Sequence, residues 1–155
     1  MPDMDEPVTN QEQEQDQEEQ EQSFPELHDF EVDVFDAVYP VTVGLVPEGN
    51  FRSQVVHVIE SFPTATLVKM DTIPDWQRKS TSDSEDYSID TYELNVYALD
   101  PDVCKKIANT IAYRMQQMNF RRLTQKPVKN GNDTRISRIV ARYEHRIDAN
   151  GVMYH

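Results

Sequence analysis

A run of arginines near the C-terminus is the part of the chain best equipped for chemistry. Arg138, Arg142 and Arg146 recur at every fourth position, with Arg121, Arg122 and Arg135 nearby. On a strand these three would share one face, and neighbours four apart would stand roughly 13 Å from each other at ~3.3 Å per residue. Three roles fit such a row. It can contact phosphate, with salt-dependent binding. It can pair with acids of a neighbouring subunit through forked guanidinium–carboxylate contacts. It can also be an ordinary solvated sheet face. The acid-rich first half of the same chain favours the subunit contact over nucleic acid.

Other reactive groups lack the company that chemistry needs. His28, His57, His145 and His155 form no i, i+4 pair and no H-E-x-x-H. His57 falls on an expected strand, where a hydrogen-bonded structural role fits better than ligation. The lone Cys104 excludes an internal disulfide framework and any multi-cysteine zinc site, and its helical position reads as a small core residue. Asp83, Glu85, Asp86 and Asp90 carry the oxygens that hard cations take, without EF-hand spacing or its Gly, so a solvated loop fits better. Asn132-Asp133-Thr134 matches a glycosylation acceptor, but no secretory signal accompanies it. Walker A, G-x-G-x-x-G and G-x-S-x-G motifs are missing, and four glycines leave little material for a phosphate loop. We expect no catalytic residues, no cofactor and no metal.

The elements that must position the arginines can be read in outline. Residues 28–43 fit a helix through Phe30, Val34, Ala37, Val38 and Val41, and fit an alternating strand almost as well. Early acids favour a helix at about 29–39, which Pro40 would kink or end. Pro47-Glu48-Gly49-Asn50 is a turn. Phe51 to Ile59 reads as a strand, Phe62-Pro63 breaks it, and Thr64 to Asp71 reads as the next strand, the two forming a short hairpin or bulged pair. Residues 72–90 read as a long polar connection. Thr91 to Leu99 alternates again. Asp100-Pro101-Asp102 starts a helix, with a capping Asp and Pro at the first helical position. Cys104, Ile107 or Ala108, Ile111, Met115 and Met118 then step along one face, and Asn119 suits the stop. Phe120 to Val128 reads as a strand that Pro127 places at an edge. Asn130-Gly131 is a hairpin turn. Thr134 to Asp148 reads as the longest strand, with Ile139, Ala141, Tyr143 and Ile147 on one face and Arg138, Arg142, Glu144 and Arg146 on the other. Asn150-Gly151 would turn the chain so that residues 152–154 pair back. The expected class is α+β, with a mostly antiparallel sheet of about five to six strands and two flanking helices.

Charge divides the chain. The net is −13 over 155 residues. Residues 1–26 hold ten acids and no base; residues 100–155 hold 11 bases against five acids. The tract Gln11 to Gln22 is only Gln, Glu and Asp, and cannot bury enough apolar area to order itself, so residues 1–23 are expected to be a disordered tail before a single domain at 24–155. No window approaches 18 apolar residues, so no helix is expected to span a membrane. A chain with opposite fields on its two halves suits head-to-tail association with its own copies.

Several strings together resemble a known family: Phe62-Pro63 before a strand ending Met70-Asp71, Glu93-Leu94-Asn95-Val96-Tyr97, a helix ending near Met118-Asn119-Phe120, Arg138-Ile139-Val140-Ala141-Arg142-Tyr143, and Gly151-Val152-Met153-Tyr154. Over about residues 28–155 the chain resembles the small minor capsid, or tail-terminator-like, proteins encoded between head and tail genes in tailed phages and prophages of Gram-positive bacteria. The Gln/Glu tract departs from that pattern. The resemblance implies a structural virion protein, made in the host cytoplasm and found in the neck of the particle. It implies a six-membered ring that caps the finished tail tube and meets head connector proteins. Its implied partners are copies of itself, the tail tube protein and the neck proteins. Another neck component, such as a head-completion or stopper protein, fits the same ring logic. A small metal- or phosphate-dependent enzyme is the reading from a different class. For the ring, the expected contact sets Arg138, Arg142 and Arg146 of one subunit against acids of residues 72–93 of the next, with Asp83, Glu85 and Asp86 as candidates.

Overall fold

In a computed structural model of the chain, residues 31–75, 87–148 and 153–154 are described. The Gln/Glu tract, the acids Asp83, Glu85 and Asp86, and the Asn150-Gly151 turn lie outside them. The order is α1 (Glu31–Thr42), β1 (Phe51–Arg52), β2 (Thr64–Pro74), β3 (Tyr87–Ala98), α2 (Pro101–Gln117), β4 (Arg121–Lys129), β5 (Ser137–Asp148) and β6 (Met153–Tyr154). The strands form one sheet in the order β1-β2-β3-β5-β4, with β6 also pairing β5. Among the strands of the described residues, only β1 and β2 pair in parallel. The class is α+β, as the pattern of elements predicts.

The arginine strand β5 lies inside the sheet. It pairs with β3 along its whole length, and with β4 and then β6 on the other side. α2 connects β3 to β4 and so crosses over β5, the strand inserted between them. Inward-facing residues of the strands, among them Ala65, Leu67, Leu94, Val96, Ile139 and Ala141, form one core with Val34 and Val38 of α1 and with Cys104, Ile107, Ala108, Ile111 and Met115 of α2. Both helices therefore cover the same face of the sheet. The opposite face carries Arg138, Arg142, Glu144 and Arg146, all partly or fully exposed. Strand alternation placed this division correctly.

α2 is held at both ends by local signals. The Asp100 carboxylate accepts from the Asp102 N–H at 2.9 Å, and Pro101 occupies the first helical turn. At the other end Asn119 takes a left-handed φ of 66°. The Phe120 N–H reaches the Met115 carbonyl and the Asn119 N–H that of Gln116, the paired bonds of a Schellman stop. Phe120, just past that stop, is buried. Asp100→Ala is expected to cost about 1 kcal/mol, read as a shift in the urea midpoint.

Three expectations need correction. The strand expected over 51–59, paired as a hairpin with the next, is only two residues long and runs parallel to β2, with Phe51 opposite Ala65. The cause is Asn50. Its buried side chain donates to Ser61 Oγ at 2.8 Å and to the Pro63 carbonyl at 3.1 Å, and its carbonyl accepts from the Ala65 N–H. Phe51 reaches the core, but those bonds close residues 53–63 into a loop whose valines face outward: Val55 is 65% exposed and Val58 73%. His57 lies in this loop, off any strand, and is exposed.

The polar connection expected over 72–90 is shorter. The β2–β3 ladder continues to Pro74 opposite Ser88, because Thr72 and Ile73 pair with Asp90 and Ile89. The helix expected at about 29–39 is a helix over the described residues 31–42, so it extends past Pro40 rather than ending there. It runs through Pro40, whose missing N–H leaves the carbonyl four residues back without its helical donor, and stops before Gly44 at φ 84°. Arg114 Nε of α2 donates to the Ala37 carbonyl at 2.8 Å and ties the two helices together.

Candidate interaction surface and buried polar cluster

The register builds the arginine face in rows. Tyr97 stands opposite Arg138, Asn95 opposite Val140, Glu93 opposite Arg142, Thr91 opposite Glu144, and Ile89 opposite Arg146. Val68 of β2 continues the Glu93 row, and Thr124 of β4 extends it beyond Arg142. The face thus mixes paired charge with half-exposed aliphatic groups.

Each arginine is held by its own chain. Arg142 Nε donates to Glu93 Oε2 at 2.9 Å, and Asn95 Nδ2 donates to Glu93 Oε1 at 3.0 Å. Arg138 donates to Asn95 Oδ1 through Nε and Nη2 at 3.1 and 2.8 Å, and its guanidinium lies 5.4 Å from the Tyr97 ring centre. Arg146 Nε pairs with Asp75 Oδ2 at 2.9 Å, and Arg121 with Glu144 at 2.6 Å. Burial acts to raise the Glu93 pKa, but the Asn95 and Arg142 hydrogen bonds and the Arg142 and Arg138 charges outweigh it and hold the carboxyl below its usual range.

Glu93 and Asp75 both belong to the 72–93 segment expected to meet a neighbour's arginines, and within the chain they already take Arg142 and Arg146. They fix the guanidinium planes without hiding them: the Arg142 side chain remains 54% exposed. A guanidinium held this way loses less rotamer freedom when a partner arrives.

The opposite face of the same strands holds a cluster that strand alternation alone does not reveal. Asp90 on β3 and His145 on β5 are direct register partners, and both side chains are fully buried. A bulge between Lys69 and Asp71 turns both Lys69 and Thr72 toward Asp90. Thr72 Oγ1 donates to Asp90 Oδ1 at 2.6 Å, Lys69 Nζ lies 3.3 Å from Oδ2, and His145 Nε2 lies 3.6 Å from the same oxygen. Burial acts to raise the Asp90 pKa; His145, Thr72 and Lys69 overcome it and hold the carboxyl below its ordinary value. Phe120 stacks on the His145 ring at 4.1 Å, and Tyr92 meets both rings edge-on. Asp90 and His145 are fully buried, and the cluster ties side chains of β2, β3 and β5 to one another.

Two neighbouring groups titrate upward. Burial pushes the Cys104 thiol up to about 11 and the Tyr143 phenol up to about 12. A pKa raised by folding contributes stability below the unfolded value and loses it as pH rises through the folded one. The urea midpoint should therefore fall from about pH 9 upward, and Cys104→Ala should remove the first part of that decline.

A cleft of about 570 Å³ lies between α2 and β4, with Tyr113 and Gln116 on one wall, Arg121 and Arg122 on the other, and Phe120 and Tyr143 at its base. A second bulge, between Arg122 and Thr124, puts Arg122 and Gln125 on the same face, where Arg122 Nη1 donates to Gln125 Oε1 at 3.0 Å. Gln125 in turn donates to Asn109 of α2 at 2.9 Å. Among the described residues, no group of three or more His, Cys, Asp and Glu is arranged to hold a metal ion, and no helix is long and apolar enough to cross a membrane. Compared with known proteins, the chain matches no protein-family model and no curated protein.

Proposed function

We propose that this chain is a structural assembly protein of a tailed phage or prophage, a tail terminator whose copies form a ring on the end of the tail tube. One observation carries the reading: both helices cover a single face of the sheet, and the other presents ordered arginines among half-exposed Val, Ile and Tyr side chains. A ring of identical subunits needs a contact between two different patches of the same molecule. The arginine face supplies one patch, and the strongly acidic first half of the chain supplies opposite charge. The resemblance of its strings to minor capsid proteins gives the reading its biological setting. Residues 83–86 keep their proposed place in the contact alongside Arg138, Arg142 and Arg146. A head-completion or stopper protein would use the same surface against a different partner.

Polymerising tail tube protein with this chain present tests the reading. Capped tubes of limited length, with a ring visible at one end by negative stain, are expected. Tubes that elongate as they do without it would refute the terminator role.

A further inference from the structure

The cleft between α2 and β4 lies on the helix side of the sheet, and its chemistry is one-sided. In a chain of net charge −13, no Asp or Glu lines it. Arg121 contributes to one wall, but its guanidinium is taken by Glu144. Arg122 bonds the Gln125 amide and has no carboxylate partner among the described residues. Gln125 in turn donates to Asn109 Oδ1, which leaves the Asn109 Nδ2 donors outside that bridge. Asn109, Tyr113 and Gln116 follow one another at helical spacing on the facing wall, so Gln116 adds a second side-chain amide.

The base of the cleft holds a donor with nothing to bond. Tyr143 is 1% exposed, and its hydroxyl is buried without a hydrogen-bond partner among the described residues. Tyr143 stands directly opposite Arg122 in the β4–β5 register, so the two side chains are neighbours on one face. Burial keeps the phenol protonated at neutral pH, and the nearby Arg122 charge acts against that rise without reversing it. A buried hydroxyl without a partner costs free energy, and an acceptor entering beside Arg122 would recover it. Arg122 is exposed and held by one amide, so it can re-orient around an entering anion.

These groups select the ligand. One uncommitted guanidinium suits one negative charge, and its planar fork matches a carboxylate. Tyr113 is 65% exposed and offers a ring face to a planar apolar group. At about 570 Å³ the cleft has the size of a small-molecule site. We propose that the α2–β4 cleft binds an organic monocarboxylate, with Arg122, the Asn109 and Gln116 amides and the Tyr143 hydroxyl on the carboxylate and Tyr113 against its planar group. The ring reading uses the opposite face of the sheet, so the two are tested separately.

Titrating the ¹⁵N-labelled full-length chain with 3-phenylpropanoate at neutral pH tests the site. Backbone amides of residues 109–116 and 120–125 should shift saturably, with half-saturation at about millimolar concentration, the scale for a ligand of this size. The uncharged 3-phenylpropanol should bind about tenfold more weakly or worse, and Arg122→Gln should weaken the acid by a similar factor while keeping its urea midpoint. Tyr143→Phe should weaken the acid severalfold, yet leave the urea midpoint unchanged or higher, because it removes a hydroxyl that bonds nothing in the free protein. N-acetylphenylalanine separates two sources of the carboxylate. Tighter binding than the free acid assigns it to the end of a peptide, weaker binding assigns it to a small acid, and both support the site. No saturable shift, equal binding of the alcohol, full affinity in Arg122→Gln, or a urea midpoint lowered by Tyr143→Phe would overturn the proposal.

Discussion

Asp90→Ala is expected to lower the free energy of unfolding by about 3–5 kcal/mol at neutral pH, the usual cost of removing one partner from a buried ion pair. The substitution leaves Lys69 without its carboxylate, strips Thr72 of its acceptor, and opens a gap beside His145 in the sheet interior. Lys69 keeps some access to water, so part of the loss should be recovered in Asp90→Ala/Lys69→Met, and a double-mutant cycle measures that coupling. The pH dependence has a definite sign. Folding lowers the Asp90 pKa, so its contribution is present above the unfolded value near 3.8 and is lost as pH falls through the folded one. Asp90→Asn should flatten that acid limb. A loss below about 1 kcal/mol for Asp90→Ala would show that the cluster does not hold the strands in register.

Arg142→Glu is expected to abolish ring assembly while leaving a folded monomer. The guanidinium is more than half exposed, so loss of its pair with Glu93 should cost the monomer about 1 kcal/mol or less. Like charges across a subunit contact cost several kcal/mol, enough to raise the concentration needed for assembly by about a hundredfold or more. The exchange Glu93→Arg/Arg142→Glu separates the two effects. It restores the pair within the chain, and with it the monomer's stability, but moves the charge that the neighbour reads. Circular dichroism should show a native fold for both variants, and sedimentation velocity should show neither assembling. Rings from Arg142→Glu would remove the arginine face from the contact.

Much of this surface is legible in the sequence, and what is hidden is hidden for identifiable reasons. The arginine face follows from alternation along an uninterrupted strand, and α2 follows from its cap, its apolar stripe and Asn119. The buried cluster is concealed by a bulge. Lys69 and Thr72 are three residues apart, which alternation sends to opposite faces; the extra residue in β2 returns them to one. Arg122 and Gln125 are concealed the same way. Asp90 reads as one acid of a polar loop until β3 is seen to begin at Tyr87, and His145 meets it only through pairing between strands 55 positions apart. Parity does offer one signal, since His145 falls on the inward side between Tyr143 and Ile147. The missing β1–β2 hairpin has another cause. Phe51, Val55 and Ile59 alternate well enough for a strand, but a long-range Asn50 network decides the path of that loop.

Self-assembly through the arginine face of the sheet is the central claim, and native mass spectrometry over a protein concentration series tests it most directly, with negative-stain images of the largest species. A closed ring, with six subunits the expected number, is the predicted result. A monomer at every concentration, with the arginine face unchanged in accessibility, would contradict it.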